Sequence, residues 1–452
     1  MSSEDHQIAY AAEQLRLMLG APGPEGVAER LFRYLTAGYD ENGDRKFRGV
    51  RRAPDLHDEV AEWEKRTRDG GDRGGPRVSV ERWPGGAGFA LFLSHDVDVV
   101  YHRELYRVLT GVNRIRRKVL AGDGKAALAA AGGVVRSLAA PKPPAREFET
   151  ILEIEARHGF RSTFFWLHDC RWKWHGVRYS FRDPAVREIA RMARDAGCEM
   201  GVHGGYYRFN DAGAYRESRE AVSEAFGVEA TGIRNHYLRF SYPETWRAMD
   251  EAGFAYDATF GYRAVPGARS GLAWPFFSFD AEAGKRLDLL ELPLTIMEVS
   301  VFNSLGLGGD EALDYCERLA GRLAGCGALV SLLWHNDYFA DPEFADRQRV
   351  YEELLARLAE RRPWCATGAE INEWWRARAG VALDAPEDAG GGRWRVKWSA
   401  GSDIDGLTLR IRGADRWGKV EVRGGQGEVR RDGDDWLANF PKAREGSVEI
   451  HD

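Results

Sequence analysis

Cysteine is scarce in this chain of 452 residues. The five present, Cys170, Cys198, Cys316, Cys326 and Cys365, are odd in number and show no CxxC spacing. That excludes a disulfide framework or a zinc-finger array and fits a reduced, cytoplasmic setting. Long apolar runs are also missing, so no membrane span is expected. The first residues, MSSEDHQIAYAAEQL, lack the basic start and apolar core of a secretory signal. Strong charge of one sign is missing too: the net charge is -6, which gives no general attraction to nucleic acid or anionic lipid. What the chain has is a 44% hydrophobic share beside 30% charged residues, the balance of a soluble globular protein. Its length predicts more than one core.

The pattern along the chain divides it. Residues 1–85 read as an N-terminal helical extension ending in a loose, charged, Gly-rich connector. From Phe89 onward short apolar runs end in a polar residue, and each is followed by a helical pattern. The runs lie at 89–98, 162–167, 198–203, 232–237, 254–260, 289–294 and 328–335, with a weak eighth at WCATG from Trp364. Helix starts accompany them: Asp183 before Pro184, Asp341 before Pro342, and a capping box from Thr367 to Glu370. Leu313, Cys316, Leu319, Ala320 and Leu323 form one apolar helix face. Repeated β/α units predict an α/β fold, a distorted parallel (β/α)7–8 barrel over 86–379. In such a barrel the polar strand ends Asp96, Asp98, His203, Arg234, His236, Glu291 and His335 converge at one mouth.

Two segments leave the repeat. Residues 101–144 form an insertion after the first strand, expected to be helical and either to lid the site, to rest on a partner, or to be a solvated helical pair. After a linker at 380–392, residues 393–452 alternate polar and apolar positions, which predicts a small antiparallel β domain.

The chemistry gathers at the strand ends. In SHDVD, Asp96 and Asp98 are two apart and share one side of the strand. Paired carboxylates there call for a cation, unless they merely cap the next loop. In EMGVHGG, His203 precedes two glycines that permit close backbone approach. GIRNHYLRF offers Arg234 and His236, and SLLWHND ends a strand in His335, an imidazole suited to proton transfer. Each alone is more often structural; all at successive strand ends make a stronger signal.

In these motifs the sequence resembles the polysaccharide deacetylase family, the NodB-homology or carbohydrate esterase 4 group, over about residues 83–378, and within it a divergent HDVD-type subgroup. The resemblance implies a metal-dependent barrel that removes acetyl groups from N-acetyl sugars. It makes Asp96 the base, Asp98 and His203 metal ligands, Arg234 the residue that steadies the base, and His335 the general acid. One position departs from the pattern: where the family has a second histidine, this chain has Tyr207. His236 is the expected replacement, completing a three-ligand set for a divalent ion, with zinc the expected one. Aromatic contacts to an N-acetylated carbohydrate are expected from Tyr206, Tyr237, Trp172, Trp174 and Trp334, with Tyr207 also bordering the metal. Two other readings compete: a metal-dependent amidase or cyclic imidase acting on a non-sugar C–N bond, and a catalytically silent glycan-binding protein.

Overall fold

The computed structural model describes residues 3–19, 23–24, 26–36, 53, 55–69, 75–100, 145–168, 179–423 and 426–452, with scattered positions between 112 and 132. Among these, no helix is long and apolar enough to cross a membrane. Trp172 and Trp174 lie outside the described residues, as does most of the 101–144 insertion.

The architecture is α/β, organised by a curled, largely parallel sheet. Its strands in chain order are β2 (Ala90–Val97), β3 (Ser162–Leu167), β4 (Glu199–Gly204), β5 (Gly232–Asn235), β6 (Tyr256–Asp257), β7 (Phe276–Asp280), β8 (Lys285–Glu291), β9 (Ile296–Met297), β10 (Leu329–Leu333) and β11 (Trp364–Cys365). A short β1 (Val78–Val80) precedes them. The order across the sheet is β7-β8-β6-β5-β4-β3-β2-β10-β9. The chain from β8 to β9 pairs with β6 through its first half and with β10 through its second. One bent segment thus meets strands at both ends of the parallel run, which curls the sheet into the distorted barrel. β2 is buried at every position, which is why it reads as an unbroken apolar run: helices cover its outer face and the barrel interior its inner one.

Helices follow the strands as expected: α1 (Ser3–Leu19), α2 (Val27–Thr36) and α3 (His57–Asp69) before the barrel, then α4 (Arg146–Ala156), α5 (Pro184–Asp195), α6 (Ala212–Phe226), α7 (Glu244–Glu251), α8 (Gly309–Gly325), α9 (Ala345–Glu360) and α10 (Gly368–Ala379). Asp183 caps α5 by accepting from the Ala185 N–H. The Thr367–Glu370 capping box opens α10. The face of α8 is buried at Leu313, Cys316, Ala320 and Leu323.

Several expectations are corrected. Asp341 and Pro342 form a turn, with Asp341 accepting from the Glu343 N–H at 2.9 Å, and α9 starts only at Ala345. The apolar run at 276–280 is a strand, paired antiparallel with β8 in a hairpin. The eighth strand, β11, pairs only with the start of β2, ahead of the β2–β3 ladder. It is a wedge and not a full stave.

The tail is antiparallel, as expected, and contains β12 (Ala382–Leu383), β13 (Glu387–Asp388), β14 (Arg393–Ile404), β15 (Leu407–Arg412), β16 (Lys419–Arg423), β17 (Glu428–Asp432), β18 (Asp435–Phe440) and β19 (Ala443–His451). They form two sheets, β1-β15-β18-β17 and β12-β14-β19-β16, with β13 on β14. The expected linker therefore supplies two short strands to β14. The N-terminal extension is not wholly helical either, since β1 pairs with β15. β15 pairs with β18 on one side, and β1 covers the edge that would otherwise stay open on the other.

Candidate active site

The site lies at the C-terminal ends of β2, β4, β5 and β10. Alternation along β2 turns Asp96 inward, and Asp98 follows just beyond the strand. Asp96 is 2% exposed and meets Arg234 through an Oδ1–Nη1 contact of 3.0 Å. The same Nη1 donates to Ser94 Oγ at 2.9 Å, and Nε donates to the Ala258 carbonyl at 2.9 Å. The guanidinium also sits over the Phe165 ring at 4.6 Å. Three anchors and an aromatic floor fix this arginine, and it fixes Asp96 in turn.

Asp98, His203 and His236 come together, each with a ligand atom within 4.8 Å of the others. His203 Nε2 lies 3.3 Å from Asp98 Oδ1, and His236 Nε2 lies 3.5 Å from Asp98 Oδ2. His203 donates from Nδ1 to the Arg234 carbonyl at 2.8 Å, which leaves Nε2 facing the carboxylates. That arrangement, one ring nitrogen on a backbone carbonyl and the other free to ligate, is typical of metal-binding histidines. His203 Nε2 and Asp98 Oδ1 are both buried without a well-aligned hydrogen bond. Such orphans cost about 1–3 kcal/mol each, and a divalent cation would satisfy both. The donor set, two imidazoles and one carboxylate, suits zinc or a similar ion.

The electrostatics agree. Burial pushes the Asp98 carboxyl up, but the His236 and His203 imidazoles outweigh it and hold its pKa well below the ordinary range. Burial opposes charge on His203, yet Asp96 and Asp98 outweigh that and raise its pKa. The cluster demands positive charge at its centre.

The turn that carries His236 is held from outside the barrel. The Asn235 side chain accepts from Tyr215 Oη at 2.9 Å and donates to the Arg239 carbonyl at 2.9 Å. The following residues, Tyr237 and Leu238, adopt φ of 60° and 50°, the left-handed region that disfavours side chains. β5 therefore ends at Asn235, two residues short of the expected strand.

His335 sits across the mouth, its Nδ1 2.5 Å from Glu298 Oε1. Burial lowers its basicity, but Glu298, with Asp98 and Asp96 farther off, raises its pKa to about 10. At neutral pH the imidazole is a charged acid. Glu298 was not foreseen from the sequence; its one signal is an acid standing in the apolar stretch LPLTIMEVSVF. Asn336, next in the chain, donates to the Val99 carbonyl at 2.8 Å and ties this wall to the loop after Asp98.

The rim is aromatic. Tyr207 is 55% and Tyr237 38% exposed. Tyr206 stands between them, its ring 5.0 Å from that of Tyr207 and 5.4 Å from that of Tyr237. Arg263 lies over Tyr237 and Arg239 over Tyr206, at 4.6 and 4.5 Å.

Two expected members do not join. Trp334 is fully buried, 5.3 Å from the Tyr351 ring. It precedes His335 and so points to the opposite side, into the helical layer, where no sugar reaches it. Glu291 pairs with Asp257 in a buried couple of its own and accepts from Trp246 Nε1 and the Phe260 N–H at 3.0 and 3.1 Å. Burial raises both pKa values; Asp257 raises that of Glu291 further, whereas the hydrogen bond with Glu291 lowers that of Asp257. His95, the imidazole of SHDVD, is likewise structural. It bonds Glu155 at 2.8 Å and the Trp334 carbonyl at 2.7 Å on the outer face.

No family model and no curated protein matches this chain. Solved structures do. The chain is similar to a candidate polysaccharide deacetylase from Mycobacterium smegmatis, with 19% identity, 66% of this chain and 93% of that one covered, and a TM-score of 0.44. It is also similar to the CE4 domain of a xylanase from the hindgut metagenome of Trinervitermes trinervoides (11% identity, 63% and 90% covered, TM-score 0.32). A third is a CE4-family pseudoenzyme from Bacillus anthracis (12% identity, 63% and 65% covered, TM-score 0.32). The solved structures it resembles are of the CE4 polysaccharide deacetylase kind.

Proposed function

We propose that this protein is a metal-dependent deacetylase that hydrolyses the N-acetyl group of an amino sugar in a glycan, sugar precursor or glycoconjugate, in a reducing, cytoplasmic setting. The observation that carries the reading is one mouth holding three parts: the Asp98–His203–His236 cluster, an arginine-held Asp96, and a Glu298-held His335.

Asp98, His203 and His236 would hold the divalent ion, zinc by donor type, with His236 taking the place left by Tyr207. Such an ion, when bound, acidifies water and polarises an acyl carbonyl. Arg234 holds Asp96 through Oδ1 and aims it into the mouth, so that Oδ2, 3.7 Å from His203 Nε2, accepts the proton of an attacking water. His335, charged by Glu298, gives a proton to the leaving nitrogen; without it an amine leaves as a poor anion. The acetyl carbon–nitrogen bond breaks, and acetate and a free amine result. Tyr206 and Tyr237 offer faces on which a sugar ring can lie.

The test is acetate release from N-acetylated oligosaccharides by the metal-loaded protein, compared with Asp96→Asn. Acetate from the wild type alone supports the reading. Release of a carboxylic acid or ammonia from small amides or cyclic imides, with no acetate from sugars, would transfer the same machinery to a non-sugar substrate. Glycan binding without any turnover would make the protein a silent binder.

A further inference from the structure

The strand end that carries His236 is held from the barrel side by one neighbouring segment, residues 257–259. Where β5 and β6 pair, the Ala258 N–H donates to the Ile233 carbonyl at 2.9 Å. A parallel ladder continued one step would send the Asn235 N–H to the Ala258 carbonyl. That carbonyl is taken instead by Arg234 Nε at 2.9 Å. Thr259 Oγ1 receives the Asn235 N–H in its place, at 2.9 Å. Arg234 and the turn after it are therefore anchored on consecutive residues of one segment.

A hydroxyl can accept there only if its own proton points elsewhere. Asp257 sees to this: its Oδ1 accepts from Thr259 Oγ1 at 2.5 Å and from the Thr259 N–H at 2.9 Å. Both residues are fully buried. Asp257 Oδ2 is buried as well, without a well-aligned donor. Glu291, opposite it in the β6–β8 pairing, can supply one as a carboxylic acid. Burial and Asp257 hold the Glu291 pKa well above the ordinary carboxyl range, so Glu291 keeps the proton and Asp257 remains the acceptor.

Asn235 connects this relay to both histidines. It precedes His236, and its side chain fills the space beside Gly204, the residue after His203, where an added Cβ would lie 2.1 Å from Asn235 Oδ1. Tyr237 and Leu238 then follow with positive φ. Strain of that kind persists only where the surroundings over-determine it, and the Thr259 bond is the inner anchor.

We propose that Thr259 is a positioning residue for the metal site: its hydroxyl, aimed by Asp257, sets the Asn235 turn so that His236 faces Asp98 and His203 before any ion binds. The proposal rests on the reading of those three residues as metal ligands.

Zinc titration of the full-length, metal-free protein against a chromophoric chelator tests it. Thr259→Val, which keeps the shape and removes the hydroxyl, should weaken zinc binding by about 10–100-fold, the usual effect of losing a group behind a ligand. Thr259→Ser should bind zinc almost as the wild type does. Equal affinity in wild type and Thr259→Val, even with a lowered melting temperature, overturns this inference and leaves the ligand set standing. So does a Thr259→Ser protein as weak as Thr259→Val. No zinc binding by the wild type removes the ligand set and this inference with it. Hydrogen exchange on the wild type needs no variant: the peptide holding Asn235 should already be protected before zinc is added. Protection that arises only with zinc would show that the ion, and not Thr259, sets the turn.

Discussion

Glu298 and His335 stand 37 residues apart in the chain and meet at 2.5 Å, one from the turn after β9 and the other from the end of β10. The pair decides which direction a proton moves at this mouth. A histidine of ordinary pKa near 6.5 is mostly neutral at pH 7; with Glu298 against it, its pKa rises to about 10.

In the metal-free protein, Glu298→Gln should bring the His335 titration, followed by NMR of its ring protons, down towards the ordinary value. The alkaline limb of any pH–rate profile should move down with it. The sign for stability follows: a raised folded pKa stabilises fully below about 6.5 and is lost as pH climbs through about 10. The variant should therefore lose most stability, relative to wild type, below about pH 6.5 and least above about pH 10. An unchanged His335 titration would refute the pairing.

His236→Ala should reduce bound zinc, measured by elemental analysis after dialysis, by at least the 10-fold typical of a lost supporting group. It should leave the melt of the metal-free protein nearly unaltered. Full metal occupancy in this variant would remove His236 from the ligand set.

Asp96→Asn should retain metal while turnover falls by about 10²–10⁴-fold, the usual worth of a positioned base. Metal loss together with turnover would show that Asp96 ligates instead.

Arg234→Met removes one half of a buried ion pair whose side chains are 0% and 3% exposed. The stranded Asp96 should destabilise the fold by about 3–5 kcal/mol, read from urea unfolding. The double variant with Asp96→Asn should recover part of that loss, because the uncompensated charge is gone. Equal loss in single and double variants would place the cost in packing alone.

Tyr237→Gly relieves a backbone at φ 60°, a conformation costing a side chain about 1–2 kcal/mol, but deletes a rim ring. Stability should hold or rise while KM for the substrate increases. An unaltered KM would strike Tyr237 from the substrate surface.

Much of the site was legible before any fold was known. Asp96, Asp98, His203, Arg234 and His335 each end an apolar run, and which side of its own strand a residue takes is a local property of period two. The same rule, applied one residue along, accounts for Trp334: its side chain had to point away from that of His335. The Thr367–Glu370 box and the Asp183 cap were legible for the same reason, since a helix start is written within four residues.

What the chain alone could not determine is which strand ends lie opposite one another. His236 reaches Asp98 across 138 positions, and Glu298 reaches His335 because the bent β8–β9 segment pairs with β10 as well as β6. Glu291 ends a similar run, yet finds Asp257 in register beside it and leaves the mouth. Amino-acid type and alternation choose the face on which a side chain sits; tilt, stagger and curl of the sheet choose its neighbours. Those are summed over every packed strand and helix, so only the assembled barrel decides them.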